Sequence, residues 1–252
     1  MGSSSLDGRR ALVTGSTGGI GVGIARSLSQ AGAFVVVNGR DGRRGAQVVK
    51  ELIAEGGRAA FVEADLSNGE RAAAALASGA AEVAGGEIDV LVNNAAMLID
   101  PNPTANVSES LMTRALAVNV IAPFLLTGML APAMAERGWG AVVNIGSING
   151  LVGMPRSAIY SATKAALHSL TKSWAAEFAA SGVRINTVAP GPTATDFNLD
   201  REAQLAPIVA RIPSGRMSTV EDVGAVVAFL ASDAATNIHG ATLTVDGGFS
   251  IV

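Results

Sequence analysis

The stretch Ala11-Leu-Val-Thr-Gly-Ser-Thr-Gly-Gly-Ile-Gly-Val-Gly-Ile-Ala25 constrains the fold more than any other part of the chain. Residues 11–13 are a short apolar run that reads as a buried strand. Glycines at 15, 19 and 21 follow at once, and an apolar pattern with helical spacing then continues to Leu28. A strand that turns sharply into a helix leaves the first helical N–H groups without partners. With the positive end of the helix dipole, those donors make a site for a phosphate. A Cβ in such a turn would block the phosphates or penalise a positive φ, hence the glycines. An ordinary tight loop is the competing reading of the glycines alone. No Gly-Lys-Ser/Thr follows, so the turn is not a triphosphate loop of the Walker type.

The rest of the chain repeats the same alternation. Strand-like runs lie at 34–37, 59–64, 88–92, 141–145, 183–188 and 242–245. Helical stretches lie between them at about 43–55, 67–83, 108–137, 157–180 and 220–231. Ser67 is expected to cap the third helix, and Pro123 and Pro132 to kink or divide the long fourth one. Residues 193–218 show no clear period. This pattern predicts an α/β fold, a doubly wound (Rossmann) parallel sheet of about seven strands with helices on both faces. No break in composition suggests a second unit, so residues 1–252 read as one dinucleotide-binding domain with a substrate loop at about 193–218.

Composition excludes several function classes. A net charge of −3 offers no basic surface for nucleic acid. Zero cysteines rule out disulfides and thiolate-bound metal, and two isolated histidines make no metal site. No apolar run reaches bilayer length and the N-terminus has no signal-peptide pattern, so a soluble, cytoplasmic protein with no membrane partner is expected. Leu6 stands where the myristoylation pattern starting at Gly2 needs Ser or Thr.

In a doubly wound sheet ligands lie outside the carboxyl ends of the strands, where strand order reverses, and the informative residues sit there. Arg40 follows the second strand where many dinucleotide folds place a carboxylate; a guanidinium suits a 2′-phosphate, or is simply solvated. Asp65 follows the third strand and either accepts from an adenine amino group or caps the next helix. Asn93 and the small Ala95 and Ala96 follow the fourth. After the fifth come Ser147 and then Tyr160 and Lys164, four apart and so on one helix face. A phenol is a poor base at its ordinary pKa of about 10, and a nearby ammonium is expected to lower it. A Tyr and a Lys at this spacing also occur on any amphipathic helix, but Tyr160 is the only tyrosine in the chain.

Thr14-Gly-x-x-x-Gly19-x-Gly21, Asn93-Asn-Ala95, Ser147, Tyr160-x-x-x-Lys164 and Pro190-Gly191 together resemble the short-chain dehydrogenase/reductase family, including its 3-oxoacyl carrier-protein reductases. The likeness covers nearly the whole chain, with five motifs in order. It implies that Tyr160 is the general acid/base for a ketone or secondary alcohol, and that Lys164 lowers its pKa and holds the nicotinamide ribose. Ser147 would hydrogen-bond the substrate oxygen and Asn119 would anchor a water in the proton relay. It further implies that Gly15, Thr17, Gly19, Ile20 and Gly21 hold the pyrophosphate and Asp65 with Leu66 the adenine. Asn93 and Ala95 would meet a ribose, and Pro190, Gly191, Thr193 and Thr195 would frame the carboxamide. The paired long helices imply a homotetramer.

Two positions depart from the family pattern. Ala96 replaces a glycine, adding one methyl beside the ribose. Gly18 stands where many NADP-dependent members carry a second basic residue, so Arg40 alone argues for NADP(H), with NAD(H) use possible. Met97, Leu98, Ile148, Asn149, Met154, Phe197, Leu199, Leu205, Ile208 and Ile212 are the expected substrate walls, largely apolar, which favours a ketone or acyl group over a polyhydroxylated sugar. Arg137 suits a carrier-protein partner at one helix end, while residues 179–182 offer no base at the other. His168 and His239 read as packing or interface residues. The alternatives are a catalytically silent dinucleotide-binding regulator, an NAD-preferring alcohol dehydrogenase, and a sugar-nucleotide epimerase of the related extended fold.

Overall fold

The computed structural model describes residues 5–195, 198 and 202–252. Among them, seven strands form one parallel sheet: β1 Arg10–Val13, β2 Phe34–Gly39, β3 Arg58–Glu63, β4 Val90–Asn93, β5 Gly140–Ile145, β6 Val183–Pro190 and β7 Thr242–Val245. Their spatial order is β3-β2-β1-β4-β5-β6-β7, so the winding reverses between β1 and β4. Leu12 pairs with Val36 on one side and with Leu91 on the other. This is the doubly wound architecture that the alternating pattern predicts.

Helices cover both faces: α1 Gly19–Gln30, α2 Gly42–Ala54, α3 Gly69–Ala84, α4 Glu109–Leu116, α5 Ala122–Glu136, α6 Ala158–Phe178, α7 Glu202–Val209 and α8 Val220–Ala231. The two-residue period of a strand sends alternate side chains to opposite cores. Val13, Val35, Val37, Val143 and Ile145 pack with Ile24 and Leu28 of α1, Leu52 of α2 and Val223 and Val227 of α8. Leu12, Val36, Leu91, Val142 and Ile185 pack with Leu76 of α3, Leu126 and Met134 of α5 and Leu167 and Trp174 of α6. Burial on both faces is why the central strands read as unbroken apolar runs.

The structure corrects the sequence reading in four places. Ser67 does not cap α3; Asp65 accepts the Ser67 N–H at 2.9 Å and its hydroxyl at 2.7 Å, which starts a 3-10 turn, Leu66–Asn68, and delays α3 to Gly69. The long helix is divided by a π-helical turn, Ala117–Ile121, ahead of the first proline, and Pro132 lies inside α5 without ending it. Taken together, Glu109–Glu136 forms 28 residues long and apolar enough by length and composition to cross a membrane, contrary to expectation. Its residues Ala122, Leu126, Leu130 and Met134 are buried against the sheet. Finally, α7 lies within the segment that shows no period in sequence.

Candidate active site

The site forms where the strands end at the point of reversal. Gly15 has φ +61°, and a Cβ on it would stand 2.8 Å from the Ala95 Cα, so the turn after β1 and the end of β4 touch across a missing side chain. Three polar side chains hold that turn. Asn38 Oδ1 accepts the Gly15 N–H at 3.2 Å, and Asn94 Nδ2 donates to the Thr14 and Gly15 carbonyls at 2.8 and 3.0 Å. Thr14 Oγ1 accepts the N–H groups of Asn94 and Ala95, each at 3.0 Å. Sequence reasoning misses Asn38 and Asn94 as holders of the turn, although an amide closing an apolar strand run is a readable signal.

Gly18 caps α1 with no side-chain hydrogen bond, and a Cβ there would meet nothing within 4 Å. No cap side chain therefore takes the first N–H groups of α1, which suits a phosphate. Thr17 packs over Gly39 at the end of β2, and Ile20 packs toward the core. Across the cleft, the Thr195 methyl lies 3.8 Å from where a Gly19 Cβ would be, whereas Thr193 is buried and its hydroxyl closes on the Gly191 carbonyl at 3.0 Å. β6 ends at Pro190, and the Gly191 N–H donates to Val245 O at 3.0 Å.

Arg40 is 76% exposed, with its Nη1 3.9 Å from Asp65 Oδ2. Burial acts to raise the Asp65 carboxyl, but the Ser67 N–H and hydroxyl and the Arg40 guanidinium outweigh it and hold it below the usual carboxylate value. Asp65 is thus engaged as a cap, with Leu66 buried behind it. The Asn93 side chain turns inward, where its Nδ2 donates to Asn144 Oδ1 at 2.8 Å and Thr127 Oγ1 at 3.2 Å.

The proton-handling residues gather on α6, on the loop after β5 and in the π turn. The Ser147 hydroxyl lies beside the Tyr160 phenol and acts to lower its pKa. Lys164 is 2% exposed, its Nζ 5.7 Å from the Tyr160 ring centroid and donating to Ile145 O at 2.7 Å. Asn119 is buried; its Oδ1 accepts the Met97 N–H at 2.7 Å, and its Nδ2 donates to Met97 O at 3.1 Å and Thr163 Oγ1 at 3.2 Å. Pro123 has no N–H, so the Asn119 carbonyl lacks the partner a regular α-helix would give it four residues on.

One electrostatic expectation fails. Burial pushes the Tyr160 phenol up to about 12, with the Ser147 hydroxyl pulling the other way. Lys164 does not reverse this; its own desolvation brings it down to about 8 and its ammonium is committed to Ile145 O.

Beside these groups Ile148, Ile212 and Phe249 form a small apolar cluster with Met154, Ile208, Val209 and Met217 against it. Sequence reasoning misses Phe249 and Met217 as members of this cluster, since chain separation hides them. Asn149 Nδ2 donates to Ser157 Oγ at 3.1 Å. Phe197 and Leu199 lie outside the described residues.

A family model described as enoyl-(acyl carrier protein) reductase matches residues 15–250. The chain is 39% identical to a cis-4-hydroxycyclohexanecarboxylate dehydrogenase of Sinomonas cyclohexanicum, over 97% of each chain. It is 35% identical to the 3-oxoacyl-[acyl-carrier-protein] reductase of Haemophilus influenzae, over 96% of this chain and 98% of that one. Among solved structures, a gluconate 5-dehydrogenase from Burkholderia cenocepacia, in complex with NADP and tartrate, superposes with a TM-score of 0.92 at 34% identity, covering 99% of this chain and 98% of that one.

Proposed function

We infer that this chain, which belongs to the short-chain dehydrogenase/reductase family, is an NADP(H)-preferring oxidoreductase of ketones and secondary alcohols. The observation that carries the reading is the grouping of Ser147, the Tyr160 phenol and the buried Lys164 one turn along α6, beside a glycine turn at the sheet's reversal point. We take residues 1–252 as one dinucleotide-binding domain.

The residues suit the cofactor. The uncapped start of α1 with Gly15, Thr17, Gly19, Ile20 and Gly21 would take the pyrophosphate, and the exposed Arg40 the 2′-phosphate. Asp65 and Leu66 would border the adenine and the backbones of Asn93 and Ala95 a ribose. Tyr160 and Lys164 would meet the second ribose, and Pro190, Gly191, Thr193 and Thr195 the carboxamide. NADP(H), when bound, supplies or accepts the hydride. Gly18 gives a 2′-phosphate no second cation, so NAD(H) would bind less tightly rather than not at all.

Ser147 would donate to the substrate oxygen. Tyr160 gives that oxygen a proton in reduction and takes it back in oxidation. Asn119, clamped by both backbone groups of Met97, would anchor the water of a proton relay. The apolar wall of Ile148, Met154, Ile212, Met217 and Phe249 favours a ketone on an apolar body. Arg137 is engaged by Glu87 at 3.1 Å and Asp89 at 3.7 Å, which argues for a free small molecule over a carrier protein. Exposed Met112, Leu116, Ile121 and Phe124 along α4, the π turn and α5 support a homotetramer.

NADPH consumption over a panel of cyclic, acyl and polyhydroxylated ketones tests the reading. A cyclic or acyl ketone is expected to turn over fastest, and Tyr160→Phe to abolish turnover while keeping NADPH binding. Equal turnover by Tyr160→Phe would remove Tyr160 from the chemistry.

A further inference from the structure

His168 has no part in that chemistry, yet the active-site loop is built around it. It follows Lys164 by one turn of α6 and is 5% exposed, so it is an interior residue and not the interface residue that sequence allows. Its Nε2 accepts the backbone N–H of Ser147 at 3.4 Å. The two glycines of the loop 146–150 are those that face the ring. A Cβ on Gly146 would run into Nε2, and one on Gly150 would stand 2.9 Å from Cε1. The imidazole therefore occupies the room that two side chains would otherwise fill, directly beneath Ser147.

An Nε2 that accepts leaves the ring proton on Nδ1, which is buried without a protein partner among the described residues. A positively charged ring would have no acceptor to give Ser147. Burial first, then the charges of Lys164 and Lys172, bring the ring down to about 4, so the acceptor persists through the neutral range.

We propose that His168 is a positioning residue: as a neutral acceptor wedged between Gly146 and Gly150, it fixes the Ser147 main chain and so aims the Ser147 hydroxyl at Tyr160 and the substrate oxygen. The proposal rests on the reading of Ser147 and Tyr160 as the catalytic pair. A role in packing alone would be served by any apolar side chain of similar size.

His168→Leu keeps volume and removes the acceptor, while His168→Gln keeps an acceptor at similar reach. Leucine is expected to lower kcat about tenfold or more, with KM and NADPH affinity within about twofold of wild type. It is also expected to move the rise of alcohol oxidation to higher pH, because a displaced Ser147 hydroxyl no longer favours the phenolate. Glutamine should restore both. Wild-type kcat and pH profile in His168→Leu, or no recovery in His168→Gln, would overturn the proposal. Should the leucine variant not fold, nitrogen-15 NMR of the wild-type imidazoles decides, since the chain has only two histidines. A proton on Nδ1 of His168 supports the placement, and one on Nε2 overturns it. Ser147→Ala and Tyr160→Phe run in parallel: activity in these would sink the catalytic reading, whereas inactivity in them beside a fully active His168→Leu would sink this inference alone.

Discussion

At the scale of single residues the site balances burial against a few hydrogen bonds. Tyr160 shows the direction of that balance: its phenol sits near 12, so at neutral pH it holds its proton and is ready to act as an acid. Reduction should therefore hold up near neutral pH, whereas oxidation, which needs Tyr160 to accept a proton, should climb steadily with alkaline pH. Rates in both directions across pH would check this, and an oxidation rate falling as pH rises above neutrality would contradict it. Tyr160→Phe should lower kcat by about a hundredfold or more in either direction. Ser147, Tyr160, Lys164 and Asn119 were all legible in the sequence because their residue types and spacings repeat a family pattern. The direction of the Tyr160 shift was not. It depends on how much of the molecule closes over the ring, and on the Ile145 carbonyl that claims the Lys164 ammonium, which no local pattern reveals.

At the scale of elements, the segment Glu109–Glu136 carries the main lesson. Sequence placed a break near Pro123, but the break is the π turn that precedes it and holds Asn119. The proline denies the Asn119 carbonyl the N–H four residues on, and the chain meets this with a π turn rather than a bend. Pro123→Ala would supply the missing N–H and let the helix close regularly. It should leave the thermal midpoint unchanged or higher and lower kcat by about 10- to 100-fold. Kinetics identical to wild type would mean that the π turn is idle. The start of α8 is simpler: Thr219 and Asp222 form a reciprocal cap, with Asp222 also paired to Arg216 at 2.7 Å. Thr219→Ala should cost about 1 kcal/mol, seen as a fall in Tm of about 2–4 °C, with activity unchanged. Boundaries such as Gly69, two residues past Ser67, escaped prediction because Asp65 takes the Ser67 N–H and hydroxyl and draws Ser67 into a 3-10 turn.

At the scale of the whole molecule, the doubly wound parallel sheet was legible because alternating strands and helices admit few right-handed windings, whereas the strand order is given by the structure. The packing of Phe249 and Met217 with the Ile148 cluster was not legible, since both come from far along the chain. The exposed apolar residues along α4, the π turn and α5 predict a solution mass four times the 25.3 kDa chain, read by light scattering. A monomer would leave that surface without a use.

The central claim is a dinucleotide site that reads a 2′-phosphate through Arg40. Titrating the purified protein with NADPH and NADH side by side tests it most directly. The account predicts that NADPH binds about tenfold or more tightly, and that Arg40→Asp removes the preference without preventing NADH binding. Equal affinities would contradict the role of Arg40, and binding of neither would contradict the site itself.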